Sequence, residues 1–359
     1  MIEEIDLKQL QALDIWFELT GSYTGTEILW DKTDRVSGRI VIPDGVTEIG
    51  YRAFNECTRL ISIEIPDSVT KIEERAFEDC TRLSEIIVSE KNRYYRSKGN
   101  CCLTADGRTL ILGCKNSVIP DGVTGIGNWA FSGCTRLTSI VIPDSVTEIG
   151  SCAFFGCSGL SSVRIPDSVT EIGSNAFFGC SGLTSIRIPD SVTKIGESAF
   201  SGCSGLTSIK IPDSVTEIEV GVFKGCTGLT SVVISNSVTK IASDAFEDCT
   251  GLASIVIPGN VTEIGNRAFS GCTRLTSIVI PNGVTLIGGY AFSGCTKLTS
   301  IEIPDSVTEI EDKIEDIYMF TAHYTTVFRG CTSLKEIRTH SRRLIDLLPY
   351  ELIDKVVLI

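Results

Sequence analysis

Cysteine and histidine are the residues of this sequence that could support nucleophilic chemistry. The chain has 15 cysteines but only two histidines, His323 and His340. A Cys/His or Ser/His/Asp site needs a histidine or another base placed beside its nucleophile. Neither histidine lies near the stretch of sequence that carries most of the cysteines. We therefore predict that the protein is not an enzyme and has no catalytic residues.

Cysteines spaced as metal ligands are the second chemical option. A structural zinc site needs four Cys or His ligands, usually in pairs that lie about two to four residues apart. The nearest match is Cys101 and Cys102 with Cys114, which is an incomplete ligand set. Packing, or a disulfide, explains these three residues better. The sequence also has no phosphate-binding glycine loop that opens a predicted helix, so we predict no metal and no cofactor.

The spacing of the other cysteines is periodic instead. A cysteine recurs every 23 residues over most of the chain, with a phenylalanine three residues before it. The chain contains 11 of these Phe-x-x-Cys units, from Phe54 to Phe328. Prolines such as Pro143 and Pro166 keep the same interval. A fixed period of this length predicts one structural unit that is stacked many times.

Residues 137–160 show how one unit folds. Apolar and polar residues alternate from 137 to 142, which predicts a short strand with one buried face. A second extended segment follows Pro143, and an arc with room for a helical turn returns the chain. Gly150 suits a tight corner, although Glu73 and Ala242 hold that position in other units, so positive φ is not obligatory there. The predicted inward positions are Leu137, Ile140, Ile142, Val146, Ile149, Ala153, Phe154 and Cys157.

The recurring pattern Leu-x-x-Ile-x-Ile-Pro-x-x-Val-x-x-Ile-Gly-x-x-Ala-Phe-x-x-Cys resembles the BspA-like class of leucine-rich repeats, also called the Treponema pallidum type. It covers residues 40–337, most of the chain. The resemblance implies a leucine-rich-repeat solenoid, which is a right-handed stack of about 11 coils with short parallel strands and a cap at each end. It also implies a ladder of buried cysteines, and surface adhesion to host proteins or to other microbes. Because equivalent thiols in such a ladder point in parallel, disulfides would distort the coils, and we expect reduced cysteines.

Four segments depart from the period. Residues 1–39 and 338–359 are predicted to cap the stack, because the apolar cross-section at each end must be covered. Residues 89–116 carry turn and strand signals that predict a hairpin insert. A second insert, residues 311–324, begins with acidic residues and ends with aromatic ones. It is either a loop resting on the last coil or a protrusion that contacts a partner.

Composition argues against two classes of partner. The net charge of −13 and the pI near 4.8 disfavour nucleic acid and anionic lipid. No apolar run approaches the roughly 18–20 residues of a membrane helix, so we predict neither nucleic-acid binding nor membrane insertion. The first residues lack the pattern of a signal peptide. This and the many cysteines indicate the cytoplasm, whereas the resemblance implies secretion or the cell surface, and the location is left open.

Stacking would align one exposed residue of each strand into a column, and this column is the predicted binding face. It contains three cations in successive units and then three valines: Arg164, Arg187, Lys210, Val233, Val256 and Val279. A basic stripe beside an apolar strip suits a protein partner with acidic and apolar contacts. The alternative is that exposed strand positions simply favour valine for its sheet propensity and charges for solubility.

Aromatic residues elsewhere are secondary candidates for partner contact. They are Trp129 and Tyr290 in a column on the opposite side, and Tyr318, Phe320 and Tyr324 in the second insert. The sequence therefore predicts a non-enzymatic scaffold that binds another protein, with the resemblance implying a surface adhesin whose partner is a host or microbial surface protein. An intracellular interaction or sensor subunit of a larger complex is the alternative.

Overall fold

The computed structural model describes residues 37–311, 327–340, 342–348 and 350–359, together with short strands at 4–5, 17–18 and 26–28. The chain divides into two compact units, Met1–Leu183 and Thr184–Ile359. Each unit is a stack of coils built on short parallel strands. The second insert, apart from its first residue Glu311, lies outside the described residues, and so do Tyr318, Phe320, Tyr324 and His323.

The first unit contains sixteen described strands. They are β1 Glu4–Ile5, β2 Phe17–Glu18, β3 Thr26–Ile28, β4 Ser37–Val41, β5 Val46–Ile49, β6 Arg59–Ile65, β7 Lys71–Ile72, β8 Glu85–Val88, β9 Tyr95–Lys98, β10 Cys101–Thr104, β11 Thr109–Leu112, β12 Gly125–Ile126, β13 Ser139–Val141, β14 Glu148–Ile149, β15 Ser162–Arg164 and β16 Glu171–Ile172. On one face the strand orders are β1-β4-β6-β8 and β13-β15. On the other face they are β2-β3-β5-β7 and β9-β10-β11-β12-β14-β16.

The second unit repeats the same two faces. Its strands are β17 Lys194–Ile195, β18 Ser208–Lys210, β19 Glu217–Ile218, β20 Ser231–Val233, β21 Lys240–Ile241, β22 Glu263–Ile264, β23 Ser277–Val279, β24 Leu286–Ile287, β25 Ser300–Glu302, β26 Glu309–Ile310, β27 Glu336–Thr339 and β28 Val356–Leu358. The first face has the orders β18-β20 and β23-β25-β27-β28, and the second has β19-β21-β22-β24-β26. Two short helices, α1 Arg343–Leu347 and α2 Tyr350–Ile353, precede the last strand.

The strand register follows the 23-residue period. Ser139 pairs with Ser162 and Val141 with Arg164 in the first unit, and Lys210 pairs with Val233 in the second. Equivalent residues of successive coils therefore lie side by side, about 4.8 Å apart. The predicted inward positions are confirmed, because Leu137, Ile140, Ile142, Val146, Ile149, Ala153, Phe154 and Cys157 are all buried.

The returning arc is a run of tight turns. The Cys157 amide donates to the Phe154 carbonyl oxygen three residues earlier, and the Phe154 amide donates to the Ala176 carbonyl oxygen in the next coil. The burial expected for the cysteines is confirmed, since all 15 are buried thiols. Most arc thiols have a further role, as the Cys157 thiol donates to the Phe131 carbonyl oxygen at 3.1 Å and the Cys249 thiol to that of Phe223 at 3.1 Å. Cysteine thus fills the arc and supplies one more hydrogen bond between coils.

The left-handed corner of each coil lies two residues beyond the position of Gly150. Cys152 has a φ of 55° and Trp129 has a φ of 60°, although neither is glycine. Gly150 itself is required for space, because a Cβ atom there would lie 2.8 Å from the Ile126 carbonyl oxygen. Close approach between coils therefore favours glycine at position 150, although Glu73 and Ala242 hold the equivalent position in other coils, and the positive φ falls on other residue types.

The hairpin insert shortens one arc of the first unit. Strand β10 pairs antiparallel with β9 and with β11, and the chain then enters the core at Gly113 instead of completing a Phe-x-x-Cys arc. The Gly113 amide donates to the Ala130 carbonyl oxygen at 2.8 Å. A Cβ atom at Gly113 would lie 2.0 Å from the ring of Phe131, which is fully buried.

Replacing Gly113 by alanine is expected to lower the free energy of unfolding by about 2–3 kcal/mol, because the Phe131 ring must move in a packed core. Chemical denaturation measures this loss. Gly125→Ala is the matched control, since a Cβ atom at Gly125 would have no atom within 4 Å and its φ is not positive. Equal denaturation midpoints for the two variants would contradict the packing described here.

Candidate protein-binding surface

The strand face of the second unit carries most of the predicted binding residues. Val233, Val256 and Val279, here called the valine strip, are 53%, 80% and 64% exposed. Strand register places Lys210 next to Val233, and Glu302 next to Val279. Arg187 also lies on an exposed position of this unit. From Lys210 onward, the order along the column is therefore cation, valine, valine, valine and anion.

The backbone beneath Val256 is unusual. Residues 254–257 lie between strands β20 and β23, yet they belong to neither sheet. Within the described part of the chain, no backbone hydrogen bond joins these four residues to another coil. Because Ile255 and Ile257 remain buried, the coil stays packed through its core, and Val256 between them is exposed.

The charged residues of the column differ in whether they form ion pairs. Arg164, in the first unit, forms an ion pair with Asp144 at 3.0 Å, and both side chains are largely exposed. In the second unit, Lys210 and Glu302 are exposed, and neither makes an ion pair with any described residue. The Arg164 pair is solvent-screened and contributes little to stability, but it reduces the positive charge that Arg164 offers to a partner.

A second surface surrounds Trp129 in the first unit. The Arg75 guanidinium carbon lies 3.7 Å from the centre of the Trp129 ring, and Arg75 donates to the Tyr51 hydroxyl at 3.3 Å. On its other side Trp129 contacts Phe155 at 5.6 Å between ring centres, and Phe155 stacks on Phe178 at 4.8 Å. We call these five residues the Trp129 cluster.

The Trp129 cluster borders a cleft created by the shortened arc. The cleft has a volume of about 280 Å³ and is lined by Ile72, Phe77, Ile111 and Trp129, among others. Asn128 donates across it to Glu74 at 3.1 Å, over a sequence separation of 54 residues. Sequence reasoning identified Trp129 but missed its neighbours. The available signal was Phe155 and Phe178, which hold an arc position that is serine or another polar residue in the other coils.

The remaining candidates that the structure describes do not form a chemical site. Tyr290, in the second unit, packs against the guanidinium of Arg267 at 5.4 Å. The His340 ring contacts the Ile359 carbonyl oxygen. Cys101 and Cys114 are buried thiols that donate to the carbonyl oxygens of Gly99 and Asn100, each at 3.5 Å. Among the described residues, no group of three or more His, Cys, Asp or Glu side chains is arranged to hold a metal ion.

Coils of short parallel strands with a core of Leu, Ile, Phe and Cys define a leucine-rich-repeat solenoid. The chain belongs to the family described as the BspA type leucine rich repeat region, whose model matches six copies at residues 36–102, 112–229 and 193–321. Proteins of this architecture are binding scaffolds that present extended surfaces to other proteins. No curated protein matches the chain.

Several solved structures are similar to this chain. The pneumococcal vaccine antigen PcpA is 17% identical, with 95% of this chain and 94% of that one covered and a TM-score of 0.52, which supports the shared fold. A leucine-rich cell surface protein from Faecalibacterium prausnitzii is 29% identical, with 92% and 94% covered and a TM-score of 0.48. The Treponema pallidum leucine-rich-repeat protein is 23% identical, with 76% and 91% covered and a TM-score of 0.33. Among the described residues, no helix combines the length and the apolar character that crossing a bilayer requires.

Proposed function

We propose that the protein is a non-enzymatic scaffold that binds a protein partner through the valine strip. The observation that carries this proposal is the exposure of Val233, Val256 and Val279, at 53%, 80% and 64%, on one face of a single unit. Apolar side chains aligned on a surface mark sites of association more reliably than isolated ones do.

The surroundings of the strip support close contact with a partner. The neighbouring outward column of the same strands is serine: Ser208, Ser231, Ser254, Ser277 and Ser300. These side chains are short, so a partner surface can reach the valines without displacing bulky groups. Arg187 and Lys210 lie at one end of the strip and add cationic contacts. Arginine is enriched at protein–protein interfaces.

Two settings for this activity remain as proposals. Membership of the BspA-type family supports a surface adhesin that binds a host or microbial surface protein. The alternative is an intracellular interaction or sensor subunit. Protease treatment of intact source cells separates the two, because an adhesin is digested while an intracellular subunit is protected until the cells are lysed.

Replacing Val256 by aspartate is expected to weaken binding of the protein partner by at least about tenfold, because a carboxylate would be buried against apolar contacts. Partners are captured with the wild-type chain, identified, and titrated as purified proteins by calorimetry. Val141→Asp is the matched control, since Val141 is 77% exposed on the equivalent strand position of the first unit. Unchanged affinity for the Val256 variant, together with a loss for Phe155→Ala, would move the site to the Trp129 cluster.

A further inference from the structure

In the exposed column of the second unit, a cation lies at one end of the valine strip and an anion lies at the other. The five central residues of the column are Lys210, Val233, Val256, Val279 and Glu302, one from each successive coil, and Arg187 and Arg338 lie beyond them at the two ends. Reading the column backwards exchanges the cation with the anion and leaves the three valines in place. A column with this order is complementary to an antiparallel copy of itself, with Val256 at the centre.

The two terminal charges are available for such a contact. Lys210 and Glu302 are exposed and have no ion-pair partner among the described residues. The next cation beyond Glu302 is Arg338, which already donates two hydrogen bonds to the Glu336 carboxylate, at 3.0 and 2.9 Å. Lys210 and Glu302, which would meet across an antiparallel pair, are therefore charges that no described residue pairs, whereas Arg187 and Arg338, which would meet outside them, each interact within their own chain.

The face is also suited to packing against a second sheet. The column of short serine side chains beside the valine strip gives the face little relief. Two sheets pack face to face about 10 Å apart when the side chains between them interdigitate. Val256, at the centre of this face, is 80% exposed.

We propose that two copies of this chain associate through the valine strip, antiparallel and related by a two-fold axis that passes beside Val256. Lys210 of each copy faces Glu302 of the other, and Val233 faces Val279. Such an interface is isologous, so every contact away from the axis occurs twice. The proposal rests on the function proposed above, since it names the partner of the same strip.

The size of the contact sets its strength. Five coils span about 20 Å, which keeps the buried area near or below about 1,200 Å², the lower limit for stable complexes. Interfaces of this size belong to weak or transient complexes, so we expect a reversible association. At physiological ionic strength the Debye length is about 8 Å. The mutual repulsion of two chains of charge −13 is then largely screened, while the close Lys–Glu contacts persist.

Sedimentation equilibrium of the full chain over a range of concentrations tests the charge pairing. Lys210→Glu and Glu302→Lys are each expected to weaken dimerisation by at least about tenfold, because each places like charges opposite one another twice. The double variant restores the wild-type dimer, because the exchanged charges again face opposite charges. A double variant that stays as weak as the single variants would overturn the antiparallel arrangement.

Crosslinking tests the position of the axis. Val256→Cys introduces an exposed thiol into a chain whose own 15 cysteines are buried. A bifunctional maleimide that spans about 10 Å should join two copies at this position. Val141→Cys is the control, since Val141 is similarly exposed at the same strand position but belongs to the first unit, and it should give no crosslinked dimer. Equal yields for the two variants would overturn the proposal.

The outcomes separate this inference from the function that it rests on. If the wild-type chain stays monomeric up to high concentration while Val256→Asp loses a different protein partner, the self-association is wrong and the proposed function stands. If Val256→Asp alters neither self-association nor the binding of any partner, the valine strip is not a binding surface and both proposals fail.

Discussion

Raising the pH above about 9 is expected to unfold the protein, because its buried thiols cannot ionise inside the arcs. Burial raises the pKa of thirteen cysteines, to about 11 for Cys101, Cys152 and Cys331 and to about 12 for Cys180, Cys226 and Cys272. An unfolded cysteine has a pKa of about 8.5. The folded-state pKa is the higher one, so the stabilisation is complete below about pH 8.5 and is lost as the pH rises towards 11–12.

The size of the effect follows from proton linkage. Each buried thiol costs about 1.4 kcal/mol of folding free energy for every pH unit above about 8.5. Several such thiols together exceed the 5–15 kcal/mol that typically stabilises a domain, so we expect a cooperative loss of circular dichroism between about pH 9 and 10.5. Working without oxygen and with a reductant keeps disulfides from forming, and returning to pH 7.5 checks reversibility.

Cys180→Ala is the matched control for this linkage. It removes one buried thiol, so the slope of unfolding free energy against pH should fall by about 1.4 kcal/mol per pH unit. An unfolding free energy that stays constant from pH 8 to 10.5 in the wild-type chain would show that the thiols are not buried as described.

Replacing Phe154 by alanine is expected to lower the free energy of unfolding by about 3–5 kcal/mol. The Phe154 ring is fully buried and stacks on Phe131 at 5.1 Å and on Phe177 at 5.2 Å. Neighbouring coils on both sides hold the site open, so the cavity cannot collapse. The midpoint of urea denaturation, followed by circular dichroism, measures the change.

The next residue supplies a control of identical chemistry. Phe155 is only half-buried, and its ring packs on Phe178 and Trp129 at the surface. Phe155→Ala should therefore cost about 1 kcal/mol. A larger loss for Phe155 than for Phe154 would mean that the inward and outward positions of the arc are exchanged.

The 23-residue period carries the fold because every coil meets its neighbours in the same way. Once one unit was interpreted as a strand, a second extended segment and an arc, the inward set from Leu137 to Cys157 followed for all units. Burial of the cysteines followed too, since they hold the same position in each arc. The period does not show which acceptor a side chain donates to. The hydrogen bond from the Cys157 thiol to the Phe131 carbonyl oxygen was therefore not predicted.

The candidate surfaces show the limit of the same reasoning. The valine strip was predicted because it obeys the period, whereas the Trp129 cluster forms where the period is broken. The hairpin insert shortens one arc, which brings Asn128 and Trp129 against Glu74 and Arg75, residues that lie 54 positions earlier in the chain. A regular repeat does not predict which side chains pack against one another where an arc is shortened.

The sequence by itself determined the coil, its buried face and its family, because these depend on contacts that recur at a fixed spacing. The tertiary structure alone decided three features that differ between coils. They are the Arg164–Asp144 ion pair, the lack of backbone hydrogen bonds from residues 254–257 to other described coils, and the charges of Lys210 and Glu302, which no described residue pairs. Each of these depends on how far apart two particular coils lie and which rotamers their side chains adopt. Those distances are set by the packing of neighbouring coils, which no single repeat contains.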